Sequence, residues 1–193
     1  MRMHIAVFGL LVLSLVSASA HSDQYGLEIF SAVAVNRGAA DVLPPLDVEI
    51  AIARWTAEAA SCHFATEMLS RGPDALMMAL QATGAVGRIV IADSDRHDVQ
   101  LAWQEPIQQG GRRIVLIVDR PLVAWKDAMR TEGVDDAFTV IEIRLDANGD
   151  GEGKVAVLFY PFVNDFRNVF QLEDYDPMPV RLAAVHARYP SSR

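Results

Sequence analysis

The sequence predicts an α+β domain: a mainly antiparallel β-sheet, closed as a barrel or folded as a sandwich, with a helical pair inserted after the second strand. Three observations predict it. Apolar residues alternate with period two in short segments spread over most of the chain. Over residues 56–82 the apolar spacing changes to that of helices. The strand segments are joined by short turns, and short turns connect antiparallel neighbours because parallel ones need long crossovers.

The elements follow in order. Residues 27–36 read as a strand closed by Arg37-Gly38, and Pro44-Pro45 keeps the following link extended. Residues 47–55 alternate more clearly, with Val48, Ile50 and Ile52 on one face and Asp47, Glu49, Ala51 and Ala53 on the other. Thr56 is placed to cap a helix, with Glu58 in the first turn where the helix dipole favours an acid. Its apolar stripe is Ala60, Phe64, Ala65, Met68 and Leu69. Gly72-Pro73 ends that helix and opens a second over residues 74–81, carrying Leu76, Met77 and Leu80.

Beyond Thr83-Gly84 the pattern is strands. Residues 86–92 and 98–104 predict a hairpin around 93–96. Residues 112–119 contain Ile114-Val115-Leu116-Ile117-Val118, apolar on both faces, which suits a strand covered on both sides. Residues 121–130 read as a helical turn built on Leu122, Trp125 and Met129. Segments 137–145, 154–161, 167–172 and 178–186 complete a set of about nine strands. No internal repeat or low-complexity run interrupts them.

The first 20 residues predict a cleavable secretory signal peptide, leaving one domain over residues 21–193. Arg2 and His4 precede an uncharged apolar run over residues 5–16, and Ala18-Ser19-Ala20 supplies the small-residue cleavage pattern. The run falls short of the about 20 apolar residues that a membrane span needs, so no span is expected in the mature chain. A lipid-anchored precursor would carry Cys at the cleavage point, where His21 stands. The expected location is the periplasm or the medium. A formal net charge of −8 excludes the basic footprint of a nucleic-acid binder. The single cysteine, Cys62, excludes an internal disulfide, so packing must hold the domain.

Several motifs invite chemistry. Asp146-Ala147-Asn148-Gly149-Asp150-Gly151 opens like an EF-hand calcium loop, but position 12 is Val157 rather than Glu, and the flanks alternate as strands. Asn148-Gly149 between two such runs is a hairpin turn. Asp93, Asp95, His97 and Asp98 form a compact acidic cluster that reads as a turn, with no second cluster to complete a metal shell. Cys62 and His63 are adjacent on a helix and do not face each other. Neither a catalytic residue, nor a metal ligand, nor a cofactor site is predicted.

Arg54-Trp55-Thr56, Gly72-Pro73 with Leu76, Gly110-Gly111-Arg112-Arg113-Ile114, Asp119-Arg120-Pro121 and the block from Phe138 to Lys154 belong together. With Pro179-Val180-Arg181-Leu182, this set resembles a family of small exported bacterial proteins of unknown function. The resemblance spans most of residues 47–186 and implies export and a single domain, with no activity attached.

Two function classes follow. The first is a non-catalytic exported module that binds a small apolar ligand or a protein partner. Its predicted lining is Phe138, Val140 and Trp125, with Glu142 and Arg144 as polar anchors on the strand face they share with Phe138 and Val140. The opposite face of that strand, Thr139, Ile141, Ile143 and Leu145, is more evenly apolar. The alternative is a cell-envelope hydrolase that uses carboxylates or a metal, and it requires Asp95, His97, Glu142 or His186 to converge.

Overall fold

The structure is a computed structural model that describes residues 26–36, 44–92, 95–125, 137–161, 163–164, 169–170, 172 and 180–188. The expected signal peptide lies outside the described residues. In chain order the elements are β1 (Glu28–Asn36), β2 (Leu46–Ile52), α1 (Glu58–Arg71), α2 (Pro73–Thr83), β3 (Gly87–Ile91), β4 (Asp95–Val99) and β5 (Leu101–Pro106). There follow β6 (Arg112–Val118), β7 (Phe138–Leu145), β8 (Asp150–Leu158), β9 (Val163–Asn164), β10 (Val169–Phe170) and β11 (Val180–Arg188). A 3-10 turn covers Val123–Trp125, within the expected helical turn whose residues 126–130 lie outside those described. The two helices follow the second strand, as the apolar spacing predicts.

Nine strands form one sheet in the order β4-β3-β2-β1-β11-β8-β7-β6-β5, with β9 and β10 as a separate ribbon. Every pairing is antiparallel. The two edges of the large sheet are two halves of one stretch of chain. Only Gln100 separates β4 from β5, and its N–H donates to the Ile117 carbonyl although Ile117 stands opposite Leu101. Two residues facing one bend a strand. The bend sends β4 to pair with β3 and β5 with β6, so the sheet curls into a nearly closed barrel rather than a sandwich.

The barrel interior is packed with apolar side chains from all nine strands, among them Phe30, Ile50, Ile89, Val99, Ala102, Leu116, Ile141, Val155 and Leu182. A second layer lies outside the wall. There Phe64, Ala65 and Met68 of α1 and Leu76 and Leu80 of α2 pack with Leu101, Val115, Ile117, Phe138, Val140 and Ala156. This explains the doubly apolar β6: Ile114, Leu116 and Val118 point inward, Val115 and Ile117 outward under the helices. Gly72, at φ +85°, takes the left-handed conformation between the helices, and its N–H closes α1 on the Met68 carbonyl.

Several expectations are corrected in detail. Thr56 does not cap α1; Ala57 stands at that position without a side-chain cap, because the Thr56 hydroxyl accepts a bond from Ala102 N–H in β5. Leu69 is half exposed and falls off the buried stripe. β2 ends at Ile52, short of Trp55. The hairpin after β3 is tighter than expected, since Ile91 already pairs with Asp95. The register of β11 shifts between Leu182 and Val185, with Ala184 at φ +49°. One extra residue flips every side chain beyond it. Strict alternation over 178–186 would put His186 on the face of Val180 and Leu182; with the shift, Val185 and Ala187 point inward and His186 turns outward.

Candidate functional site

The residues expected to line a ligand site are divided between the two layers. Trp125 lies in the barrel interior, while Phe138 and Val140 face outward beneath the helices. No common cavity collects the three. Glu142 and Arg144 do share the Phe138 face, but not as two solvated neighbours: Glu142 is 4% exposed and Arg144 59%.

Glu142 is the centre of a buried polar cluster. Arg113 Nη2 donates to its Oε2 at 3.0 Å, and Leu172 N–H donates to the same oxygen at 3.0 Å. Arg144 Nε reaches the other oxygen at 3.1 Å. Arg113 also binds Glu105 at 2.8 Å and the Phe170 carbonyl at 2.9 Å. Burial pushes the Glu142 carboxyl up, but the hydrogen bond and charge of Arg113, then the Leu172 and Arg144 bonds, outweigh it and hold it below its ordinary value. The Arg113 guanidinium is correspondingly raised, burial notwithstanding, by Glu142 and Glu105. The cluster satisfies both charges and ties Phe170 and Leu172 to the barrel wall. Its geometry is that of a latch rather than of a reactive group.

The four residues required by the hydrolase alternative do not converge. Asp95 and His97 sit together on β4, with His97 Nε2 2.7 Å from Asp95 Oδ1 but out of line for a hydrogen bond. His186 is on the outer surface, with Nδ1 2.6 Å from Asp150. Glu142 is locked beside Arg113. At the loop 146–150, the Asp146 carboxylate accepts N–H bonds from Asn148 at 2.8 Å and Asp150 at 3.1 Å, and Gly149 takes φ +86°. These bonds, from Asp150 first and then Asn148, lower the Asp146 carboxyl. The loop is a hairpin turn joining β7 and β8, as Asn148-Gly149 predicts. Among the described residues no three His, Cys, Asp or Glu gather as a metal site. No described helix is long and apolar enough to cross a membrane.

A cleft of about 830 Å³ opens elsewhere, where the chain leaves β2 and crosses to α1. One wall is residues 53–58, another is Ala85 and Val86, and the third is residues 103–106 of β5. The crossing segment is pinned at both ends. Ala53 and Arg54 N–H both donate to the Val86 carbonyl, at 3.0 and 3.1 Å, and Thr56 N–H donates to the Ala102 carbonyl at 2.7 Å. Between these anchors Trp55 is half-buried, edge-on to Phe30 with ring centroids 6.5 Å apart. Trp103 on β5 also lines the cleft, 8% exposed and packed in the outer layer.

The floor is polar but neutralised. Gln104 Oε1 accepts from Arg112 Nη1 at 2.9 Å, and Arg112 is ion-paired with the buried Glu28 while lying over the Phe30 ring. Arg54 and Glu58, both exposed, put one charge of each sign on the rim. None of Phe138, Val140, Glu142, Arg144 or Trp125 lines this cleft. Its residues carry no motif. They are a loop, a strand edge and a linker, brought together only by barrel closure, and Arg54-Trp55-Thr56 is the sole part that a sequence pattern singles out.

Fold and site together define an α+β barrel-like domain with outer helices and a two-tryptophan cleft beside a strand edge. Models of known protein families, curated proteins and solved structures all give no match to this chain.

Proposed function

We propose that this chain is an exported, non-catalytic binding module that takes a small apolar ligand, or an apolar part of a protein partner, in the cleft between Trp55 and Trp103. Export to the periplasm or the medium rests on the charged start, apolar run and small-residue cleavage pattern of residues 1–20. Membership of the family of small exported bacterial proteins is part of the same proposal.

The observation that carries the binding reading is the pair of indoles in an 830 Å³ cleft, a volume within the about 300–1,000 Å³ usual for small-molecule sites. Tryptophan offers a large apolar face and few rotatable bonds, so it binds at low entropic cost. The barrel interior offers no competing site among the described residues, because side chains from all nine strands fill it.

Titration with an anilinonaphthalene sulfonate dye tests this reading. Saturable binding should quench tryptophan fluorescence, and Trp55→Ala should weaken it about tenfold, equivalent to about 1.4 kcal/mol. Dye affinity that is indifferent to Trp55→Ala would remove the cleft from consideration.

A further inference from the structure

The cleft wall on β5 carries main-chain hydrogen-bonding groups that the sheet does not use. Along an antiparallel strand, successive residues turn their N–H and C=O to alternate sides. Three bonds show the phase in β5. Just beyond the strand, Ile107 N–H donates toward β6, to the Gly111 carbonyl at 3.0 Å. Ala102 turns away from β6: its carbonyl accepts Thr56 N–H at 2.7 Å, and its N–H donates to Thr56 Oγ1 at 3.0 Å. Gln104 has the phase of Ala102, so its N–H and C=O face the cleft, where no described residue bonds them. Pro106 comes next in that phase, and its missing N–H costs the sheet nothing there.

The edge is therefore covered at Ala102, closed to further donation at Pro106, and open at Gln104 between them. Thr56 demonstrates what complements this edge, since it meets Ala102 with one donor, its N–H, and one acceptor, its hydroxyl. A rigid apolar molecule leaves the Gln104 pair unmet, whereas an extended main chain supplies the matching C=O and N–H. We infer that the cleft takes a short extended peptide segment, which adds to β5 at Gln104 and lays an apolar side chain on Trp55. This rests on the reading of the cleft as a binding site, and it names the ligand class. The opening admits one residue pair, so the indole contact and the Gln104 backbone pair share the affinity, and the backbone pair also fixes the orientation. Arg54 and Glu58 on the rim suit the opposite charges of the segment's flanks.

The test uses short linear peptides enriched by display on the purified protein, each resynthesised with a single N-methyl group at every position in turn. An N-methyl removes one main-chain donor and leaves the side chains intact. One position should lose affinity about tenfold or more while its neighbours change little. Gln104→Pro in the protein should weaken peptide binding about tenfold or more; the N-methyl series on the unaltered protein keeps the test decisive if that variant does not fold. Peptides indifferent to N-methylation at every position overturn the inference, as does failure to enrich any peptide. Either result leaves the cleft reading standing if dye binding still depends on Trp55. Self-association in sedimentation that disappears in Gln104→Pro assigns the edge to a second copy of the chain and also overturns the inference.

Discussion

Glu142 and Arg144 are two residues apart on one strand face, and period-two alternation places them there without ambiguity. Alternation does not say that Glu142 is buried and bonded by Leu172 N–H while Arg144 reaches water. The decisive group is Arg113, which stands one position from Ile114 in a strand and carries no sequence signal of a buried charge. Removing Glu142 takes the acceptor from Leu172 N–H and leaves Arg113 paired with Glu105, so Glu142→Ala should cost about 1–3 kcal/mol in urea unfolding. The pH dependence follows from the sign of the shift. The Glu142 carboxyl titrates below its ordinary 4.5 when folded, so its stabilising contribution is complete above that value and is lost as pH falls through the lower folded value. Glu142→Gln, of nearly the same shape, should be less stable at neutral pH and lose less on acidification. Unfolding curves collected across the acid range check this, and parallel profiles for the two proteins would contradict it.

The helices and strands were largely legible because each buries one face and exposes or buries the other on a regular period. In α1 the stripe Phe64, Ala65 and Met68 is correct, whereas Leu69, one position on, turns half out. Phe64→Ala should cost about 3–5 kcal/mol, since the aromatic fills the layer between helix and barrel wall. Met78→Ala, at a position 70% exposed, should change stability by no more than about 0.5 kcal/mol. Chemical denaturation of the two variants separates the layers, and equal losses would show that the helical pair does not pack as described. β11 failed to follow its pattern for a definite reason. The register shift at Ala184 inserts one residue, and a period of two cannot survive an insertion of one.

For the molecule as a whole, closure decides what the parts can do. The bend at Gln100 turns one stretch of chain into both edges of the sheet, and the cleft lies where β5 runs on beside residues 53–58 and 85–86. Native-state hydrogen exchange tests this directly. The Gln104 amide should exchange as an unprotected edge amide, while the Glu105 amide, turned toward β6 and opposite Arg113, should be protected. Equal protection at the two positions would mean that the β5 edge is already occupied.

Period and turn chemistry in the sequence were enough to establish the α+β class, the antiparallel connections, the helical pair after the second strand and the hairpin at Asn148-Gly149. They also established which residues share a face, except beyond the register shift in β11. The tertiary structure decided which of two apolar faces lies inside the barrel, that the sheet nearly closes, that Glu142 is buried, and that Trp55 and Trp103 line one cleft beside β5. The division has a physical cause. Alternation is a local property of the backbone, whereas closure depends on a single bend at Gln100 and on pairings such as Glu28 with Arg112, whose partners are far apart along the chain.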